Sequence, residues 1–546
     1  MHRFRPWWLA VAGYVAITGF FVSPLIDYHH LADASYEGDA RLVIWTLAWD
    51  AHALFSRLSL FDANMFYPAA HALTWTEHLS GITLFSLPVY ALTANPVFAY
   101  WAVWLLAFPL NAIAMHALAW RLTRNHASAF VGGVVYAFCF FRMHHGHGHL
   151  QFLWTWGLPL IPLAIERWLV QPTPQRMLLL LALVLVQSLT SWYLAVFAAL
   201  LSVITVGALI TSQRVTRTHV WQAAVALAIG GSVIGWFARP YFALQTPGIS
   251  EAFELSADAV AYVVPPENTW VGQWLLAHTA LKPRWIWGER TLYPGAVAIG
   301  LAALGIWALG RRRPVPASRL THALWITGVV ALLLSFGPSP SGYSPFDLLA
   351  WLPGLSMLRA PARFALLVML ALATLAAYGA RLLLQGEGPR KGIVAAVLVA
   401  GFLAESFLVQ FPAGKPKPFT TPEVYSRLAS MPAGAVLSLP SYRGTPEGFR
   451  EADYLFYSMV HWHPVANGFG RHEPLPHRDN LAALVQFPAP VAIQRLRTLG
   501  IRYVVLHTGR ASGLRAAVAT AGDRSDVELL GTFGDDYLYQ VRPSEP

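Results

Sequence analysis

Apolar runs recur along most of this chain, each near the length of one membrane crossing and each closed by a short polar break. A hydrocarbon layer of ~30 Å needs about 20 apolar residues per helix. Runs near 7–25, 97–120, 127–141, 152–168, 177–191, 194–212, 219–237, 292–310, 320–337, 364–380 and 392–411 meet that need and predict about eleven transmembrane helices. The breaks then sort by charge. One side receives Arg3 and Arg5; Arg121 and Arg124; Arg167 and Arg176; Arg214 and Arg217; Arg311, Arg312, Arg313 and Arg319; and Arg381, Arg390 and Lys391. Basic loops stay in the cytoplasm, so the N-terminus is expected there and the acidic and His-rich loops outside. Gly81 to Ala94 is a shorter apolar stretch containing Pro88, and counting it as a crossing would put Arg121 and Arg124 on the wrong side. It is expected to be a re-entrant or interfacial helix, the alternative being a short crossing balanced by an extra span elsewhere. The first run also has a reading as a signal peptide, with Arg3 and Arg5 before it and small residues near Ala34. The downstream charge pattern favours an uncleaved helix.

From Pro418 onward the pattern changes to that of a water-soluble fold. Thr421-Pro422-Glu423 predicts a helix start with Thr421 as cap, running to about Ser430. A strand follows over Ala435 to Pro440, then a helix near Pro490 to Leu499, a strand over Ile501 to His507, a helix over Ser512 to Ala521 and two strands near Glu528 and Tyr537. The fold class expected is an all-α polytopic membrane protein with a small C-terminal extracytoplasmic α/β domain. Residues 1–417 would form the membrane domain, with outer loops 26–80, 142–151, 239–293 and 338–363, and residues 418–546 the outer domain. The latter contains no GxGxxG, P-loop or GxSxG motif, so it is expected to cover or shape a site.

Composition narrows the class. Of 546 residues, 56% are hydrophobic and 12% charged, against roughly 25% charged in soluble domains. The net charge of +10 would suggest nucleic acid in a soluble protein, but cytoplasmic retention of Lys and Arg explains it here, and no nucleic-acid partner is expected. The single cysteine, Cys139, excludes an intramolecular disulfide and a CxxC motif.

Four outer segments carry candidate chemistry. In the first, Leu42, Trp45, Trp49, Ala53 and Phe55 recur at helical spacing, which predicts a helix lying on the membrane with an apolar side down. Glu37 and Asp39 stand at its start. Asp39 has two readings, a helix cap or a general base taking a proton from a hydroxyl. The second segment offers His144, His145, His147 and His149 as a polar rim for phosphate or sugar, or as metal ligands through His147 and His149. No third spaced ligand completes a catalytic zinc set. The third combines Glu251, Glu254, Asp258 and Glu267 with Trp270, Trp274 and Trp285, a pairing that suits carbohydrate or an interfacial aromatic belt. In the fourth, Arg359 and Arg363 run against the positive-inside bias and suit a lipid phosphate or ordinary headgroup anchoring.

The segments YEGDARLVIWTLAWD, FDANMFYP, TEHLSG, RMHHGHGHLQF, TWGLPL and LRAPARF, with LSLPSY, VANGFGRHEP and LRTLGIRYVVLH in the tail, resemble the polytopic glycosyltransferases of the GT-C superfamily. The likeness is strongest to the bacterial YfhO-like, mannosyltransferase-like branch. It implies an enzyme of the bacterial cytoplasmic membrane that moves a sugar from a polyprenyl-phosphate or -diphosphate carrier to a glycan, lipid or protein acceptor hydroxyl outside, with inversion. Asp39 matches the base, with Glu37 beside it. The second acid of such enzymes is replaced by the His cluster, so its role falls to His144, His145, His147, His149, Glu37, Asp62 or Glu77. Arg359 and Arg363 would seat the carrier phosphate; Trp45, Trp270, Glu251 and Glu254 would contact sugar. The lipid-linked sugar is the donor, and a divalent metal stays an open alternative. The missing WWDYG-like motif argues against transfer of whole glycans to Asn. Two rivals also stay open: a transporter, which would need ionisable residues inside the spans, where His116 and Glu405 stand, and a non-catalytic component of envelope-glycan assembly.

Overall fold

The computed structural model describes residues 5–244, 250–279, 288–311, 317–339, 342–350, 358–385, 389–408, 414–470 and 472–543. Arg3, Arg312, Arg313 and Trp285 lie outside them, as do parts of the loops 239–293 and 338–363 and the end of the run 392–411. Two compact units form, Met1–Tyr28 with Trp101–Lys415 and His29–Tyr100 with Pro416–Pro546. The first outer loop therefore groups with the C-terminal segment, whereas the sequence pattern assigned it to the membrane domain.

The apolar runs in the first unit fold as helices, two of them broken: 127–141 into His126–Ala137 and Phe140–His145, and 152–168 into Leu150–Leu153 and Gly157–Val170. Among the described residues four are long and apolar enough to cross a bilayer: Pro96–Thr123, Trp192–Ile210, Arg217–Phe242 and Pro361–Leu383. The chain is a multi-pass membrane protein. Helix starts are built from local polar residues that satisfy otherwise orphaned N–H groups. Asn125 accepts from Ser128 N–H at 2.9 Å and Ser318 from Thr321 N–H at 3.1 Å. Helix Ala296–Gly310 takes its cap from elsewhere in the chain: the Glu405 carboxylate accepts from Ala296 and Val297 N–H, both at 2.9 Å. His116 is likewise engaged, 2.9 Å from Tyr14 Oη and 3.0 Å from His126. His116 and Glu405 thus tie helices together.

Without a hydrophobic drive between helices in lipid, small residues allow backbones to close up. Gly305 and Gly379 face each other where helices Ala296–Gly310 and Ala365–Leu383 cross. A Cβ on Gly379 would stand 1.9 Å from Leu301 O, and one on Gly305 would stand 2.1 Å from Leu375 O.

The second unit contains two sheets. Strand β1 (Ala34–Ser35) pairs antiparallel with β2 (Lys417–Pro418). The larger sheet uses β3 (Ala435–Leu439), β4 (Ile501–His507), β5 (Val527–Phe533) and β6 (Asp536–Val541) in the order β3-β4-β6-β5, with β3 parallel to β4 and the other pairs antiparallel. Its core is Leu437, Leu439, Ile493, Leu496, Val504 and Leu506. The strands and the helices Pro490–Leu499 and Leu514–Gly522 follow the alternating pattern closely. Thr421 is not a cap: helix Glu423–Ala429 begins at Pro422 with no side-chain cap. Two helices, Glu451–Ser458 and Leu475–Leu484, had no sequence signal assigned.

Helix Asp39–Ser56 departs most from expectation. Leu42, Trp45 and Trp49 pack against Ala452 and Leu455 in one core, and Arg41 forms a buried ion pair with Asp453, which also meets Arg510 at 3.2 Å. Ala40 through Ala51 are all buried, so this is a core helix and not one lying on a membrane with one apolar side. Its cap is Gly38, left-handed at φ 68°, with Asp39 as first helical residue. The Gly81 stretch forms helix Ser80–Thr93, 14 residues long, or ~21 Å at 1.5 Å per residue, short of the ~30 Å of hydrocarbon. It is tied to the core helix by Thr83, which donates to Asp50 at 2.6 Å.

Gly379→Ala is expected to cost about 1–3 kcal/mol by forcing the helix pair apart, whereas Gly300→Ala, with open space around it, should leave thermal unfolding in detergent unchanged. Asp50 generates a second expectation. Burial pushes its carboxyl up from 3.8 to about 7 against the hydrogen bonds of Thr83 and Ser80, and its Oδ1 has no hydrogen-bond partner. The folded state then holds a proton the unfolded chain has released, so stability falls as pH rises from about 4 to about 7. Asp50→Asn should flatten that slope and raise the melting temperature at pH 8, the stability gained being on the order of 4 kcal/mol.

Candidate functional site

One end of the first unit gathers groups from four segments. Helix Phe140–His145 unwinds through a turn in which His149 N–H donates to His145 O at 2.9 Å. That i,i+4 relation sets both imidazoles on one side, with their Nδ1 atoms 3.5 Å apart. Glu289 comes from the short 3-10 turn Gly288–Arg290, and Arg363 from the turn Pro361–Phe364 just before the last long span. Arg363 Nε lies 3.0 and 3.1 Å from the two Glu289 oxygens, and Nη2 lies 2.5 Å from Oε1. His145 Nε2 stands 3.7 Å from Glu289 Oε2. The guanidinium is held between Phe152 and Tyr193, 4.6 Å from each ring centre, and Tyr193 Oη accepts from Ala360 N–H at 2.9 Å.

These contacts set the charges. Burial alone would raise the Glu289 carboxyl, but Arg363 and then His145 hold it far below the usual carboxylate range. Burial pushes His145 well below 6.5 and His144 down to about 3. At neutral pH the cluster is one buried ion pair beside neutral imidazoles. Imidazole and carboxylate atoms of His145, His149 and Glu289 lie within 4.8 Å of one another, a donor set that suits a divalent transition ion. A cation there would have to displace Arg363 from Glu289. His147 is turned away from that set, with Nδ1 2.6 Å from His144 O.

The remaining sequence candidates separate. Arg359 meets Glu251 at 3.6 Å, while Glu254 is exposed and its backbone carbonyl accepts from Arg290 at 3.3 Å. Trp270 is half-exposed and donates to Ala404 O at 2.5 Å. In the second unit Glu37 and Asp39 are exposed and Glu77 is half-buried. Asp62 Oδ1 accepts from His71 N–H at 2.8 Å. Trp45 cannot contact sugar, because it is 0% exposed and its indole donates to Asn64 at 3.2 Å. Glu289 was missed in the sequence; its signal was an acid directly ahead of a span and beside Arg290.

Glu289→Gln is expected to leave Arg363 buried without a counter-charge and cost about 3–5 kcal/mol. Adding Arg363→Met should recover much of that loss in a double-mutant cycle read by thermal unfolding.

No family model matches the chain, and no curated protein matches it. Solved structures do. An arabinofuranosyltransferase, AftD from Mycobacteria, is similar with a TM-score of 0.57 at 16% identity over 100% of this chain and 40% of its own. An oligosaccharyltransferase from Archaeoglobus fulgidus is similar with a TM-score of 0.51 at 11% identity over 94% of this chain and 71% of its own. The chain thus spans well under half of the arabinofuranosyltransferase, and at these identities the likeness is one of fold. This chain shares the fold of these two transferase structures.

Proposed function

We propose that this chain is a glycosyltransferase that moves a sugar from a polyprenyl-phosphate or -diphosphate carrier to an acceptor hydroxyl on the outer face of the bacterial cytoplasmic membrane. The observation that carries the reading is the fold shared with the arabinofuranosyltransferase over the whole chain. Asp39 acts as base. Its support is local: left-handed Gly38 sets the helix start, and Asp39 is exposed on the first turn, while Asp50 of the same loop is buried against Thr83. As the acceptor oxygen bonds to the anomeric carbon, its proton passes to the Asp39 carboxylate. The bond to the carrier phosphate breaks with inversion, and its electron pair stays on the phosphate oxygen. A cationic group at that oxygen stabilises the leaving charge. Arg359, half-exposed and held by Glu251 at 3.6 Å, is the phosphate contact in this reading. Arg363, buried and bonded to Glu289, is the fixed neighbour that shapes the seat. The acceptor is a glycan, lipid or protein hydroxyl.

Asp39→Asn is expected to fold normally and lose about 10²- to 10⁴-fold in turnover. The assay is consumption of polyprenyl-linked sugars from a bacterial lipid extract by the protein in liposomes, followed by mass spectrometry. Near-normal consumption by the variant would remove Asp39 from the mechanism.

A further inference from the structure

The second unit contains a cleft of about 260 Å³ lined by residues that the transfer reaction does not use, among them Trp49, His52, Asp62, Tyr67 and Trp462. Ligand pockets commonly hold about 300–1,000 Å³, so this one takes roughly a single ring. Its wall is aromatic. His52 and Trp462, both half-buried, stack with ring centres 4.2 Å apart and planes 8° from parallel, and Trp49 lies 6.0 Å from Trp462. At the rim stands Asp62, its side chain 48% exposed. Oδ1 is already oriented by the N–H and Nδ1 of His71, at 2.8 and 3.0 Å, and the carboxylate keeps Oδ2 for a further donor.

The backbone singles out the same place. Helix Glu451–Ser458 runs out through turns to Trp462, whose N–H donates to Ser458 O at 2.7 Å and whose φ is 53°. That left-handed position after a helix is usually glycine. His71 is left-handed too, at φ 52°. Bulky side chains kept where glycine is the relaxed choice mark sites at which the side chain itself is needed.

We infer that this cleft binds one sugar ring of a glycan, its apolar C–H face on the open outer face of the Trp462–His52 stack and its edge hydroxyls on Asp62. One open ring face of that stack, as a platform beside one carboxylate, suits a ring with an apolar face and a polar edge. An organic cation would instead want rings around it on several sides. Burial lowers the pKa of His52, so the platform is uncharged at neutral pH. The occupant's role as transfer acceptor rests on the glycosyltransferase reading; the binding does not.

The test uses the full chain in nanodiscs, titrated with maltose, cellobiose, mannobiose, lactose and arabinobiose and read by saturation-transfer NMR. Saturable binding of at least one disaccharide is expected, weakened about tenfold or more by Trp462→Gly, which removes the ring and relaxes the backbone, and about tenfold by Asp62→Asn. Should Trp462→Gly misfold, Asp62→Asn decides. The inference is overturned when no disaccharide saturates, when neither variant weakens binding, or when tetramethylammonium binds in their stead. Asp39→Asn should bind as wild type does. Wild-type binding without any sugar transfer would count against the transferase reading and leave the cleft standing.

Discussion

Hydrocarbon tolerates neither an unpaired backbone N–H nor an unpaired charge, and the first unit is organised by that constraint. Its apolar runs close their hydrogen bonds within helices. Gly305 and Gly379 let two of those helices touch backbone to backbone. Glu405 is spent on the N–H groups that open helix Ala296–Gly310, and His116 on Tyr14 and His126. With the interior committed to structure, polar chemistry is left to the segments that leave the helices, where Glu289, Arg363, His145 and His149 gather.

At that edge the Arg363–Glu289 pair decides what its neighbours can do. Bidentate contact keeps both partners ionised despite burial, and burial leaves His144 and His145 neutral. The Arg363 guanidinium at this end is already matched by Glu289, whereas Arg359, 3.6 Å from Glu251, is more open. One acid of the second unit, Asp50, is treated in the opposite way. Asp50 has hydroxyls but no cation, so its proton is retained to about pH 7, whereas Asp39, one helix start away, faces solvent. Of two carboxylates on one helix, Asp50 is thus buried and structural and Asp39 exposed.

Periodicity placed helices at the apolar runs because each run answers to one requirement, the thickness of a bilayer, and among the described residues four of those helices are long and apolar enough to cross it. It read β3, β4 and the helix Pro490–Leu499 for a related reason: in each, local alternation and turn residues agree with the core they join. Helix Glu451–Ser458 escaped because all eight of its residues are buried; with no polar face it has no amphipathic period. The Asp39–Ser56 helix carried the right period and the wrong environment, since Ala452 and Leu455 of Glu451–Ser458 pack on Leu42, Trp45 and Trp49, the side that the pattern assigned to the membrane.

The sequence by itself determined a multi-pass helical protein, the position of the soluble tail and the residues from which a site could be assembled. Only tertiary structure decided their partners. It buried Trp45, made Gly38 rather than Asp39 the cap, set Glu289 on Arg363 from 74 residues away and joined residues 29–100 to the C-terminal segment. Hydropathy is a property of neighbours along the chain, whereas ion pairing, stacking and burial depend on distances between segments, which a linear pattern does not contain.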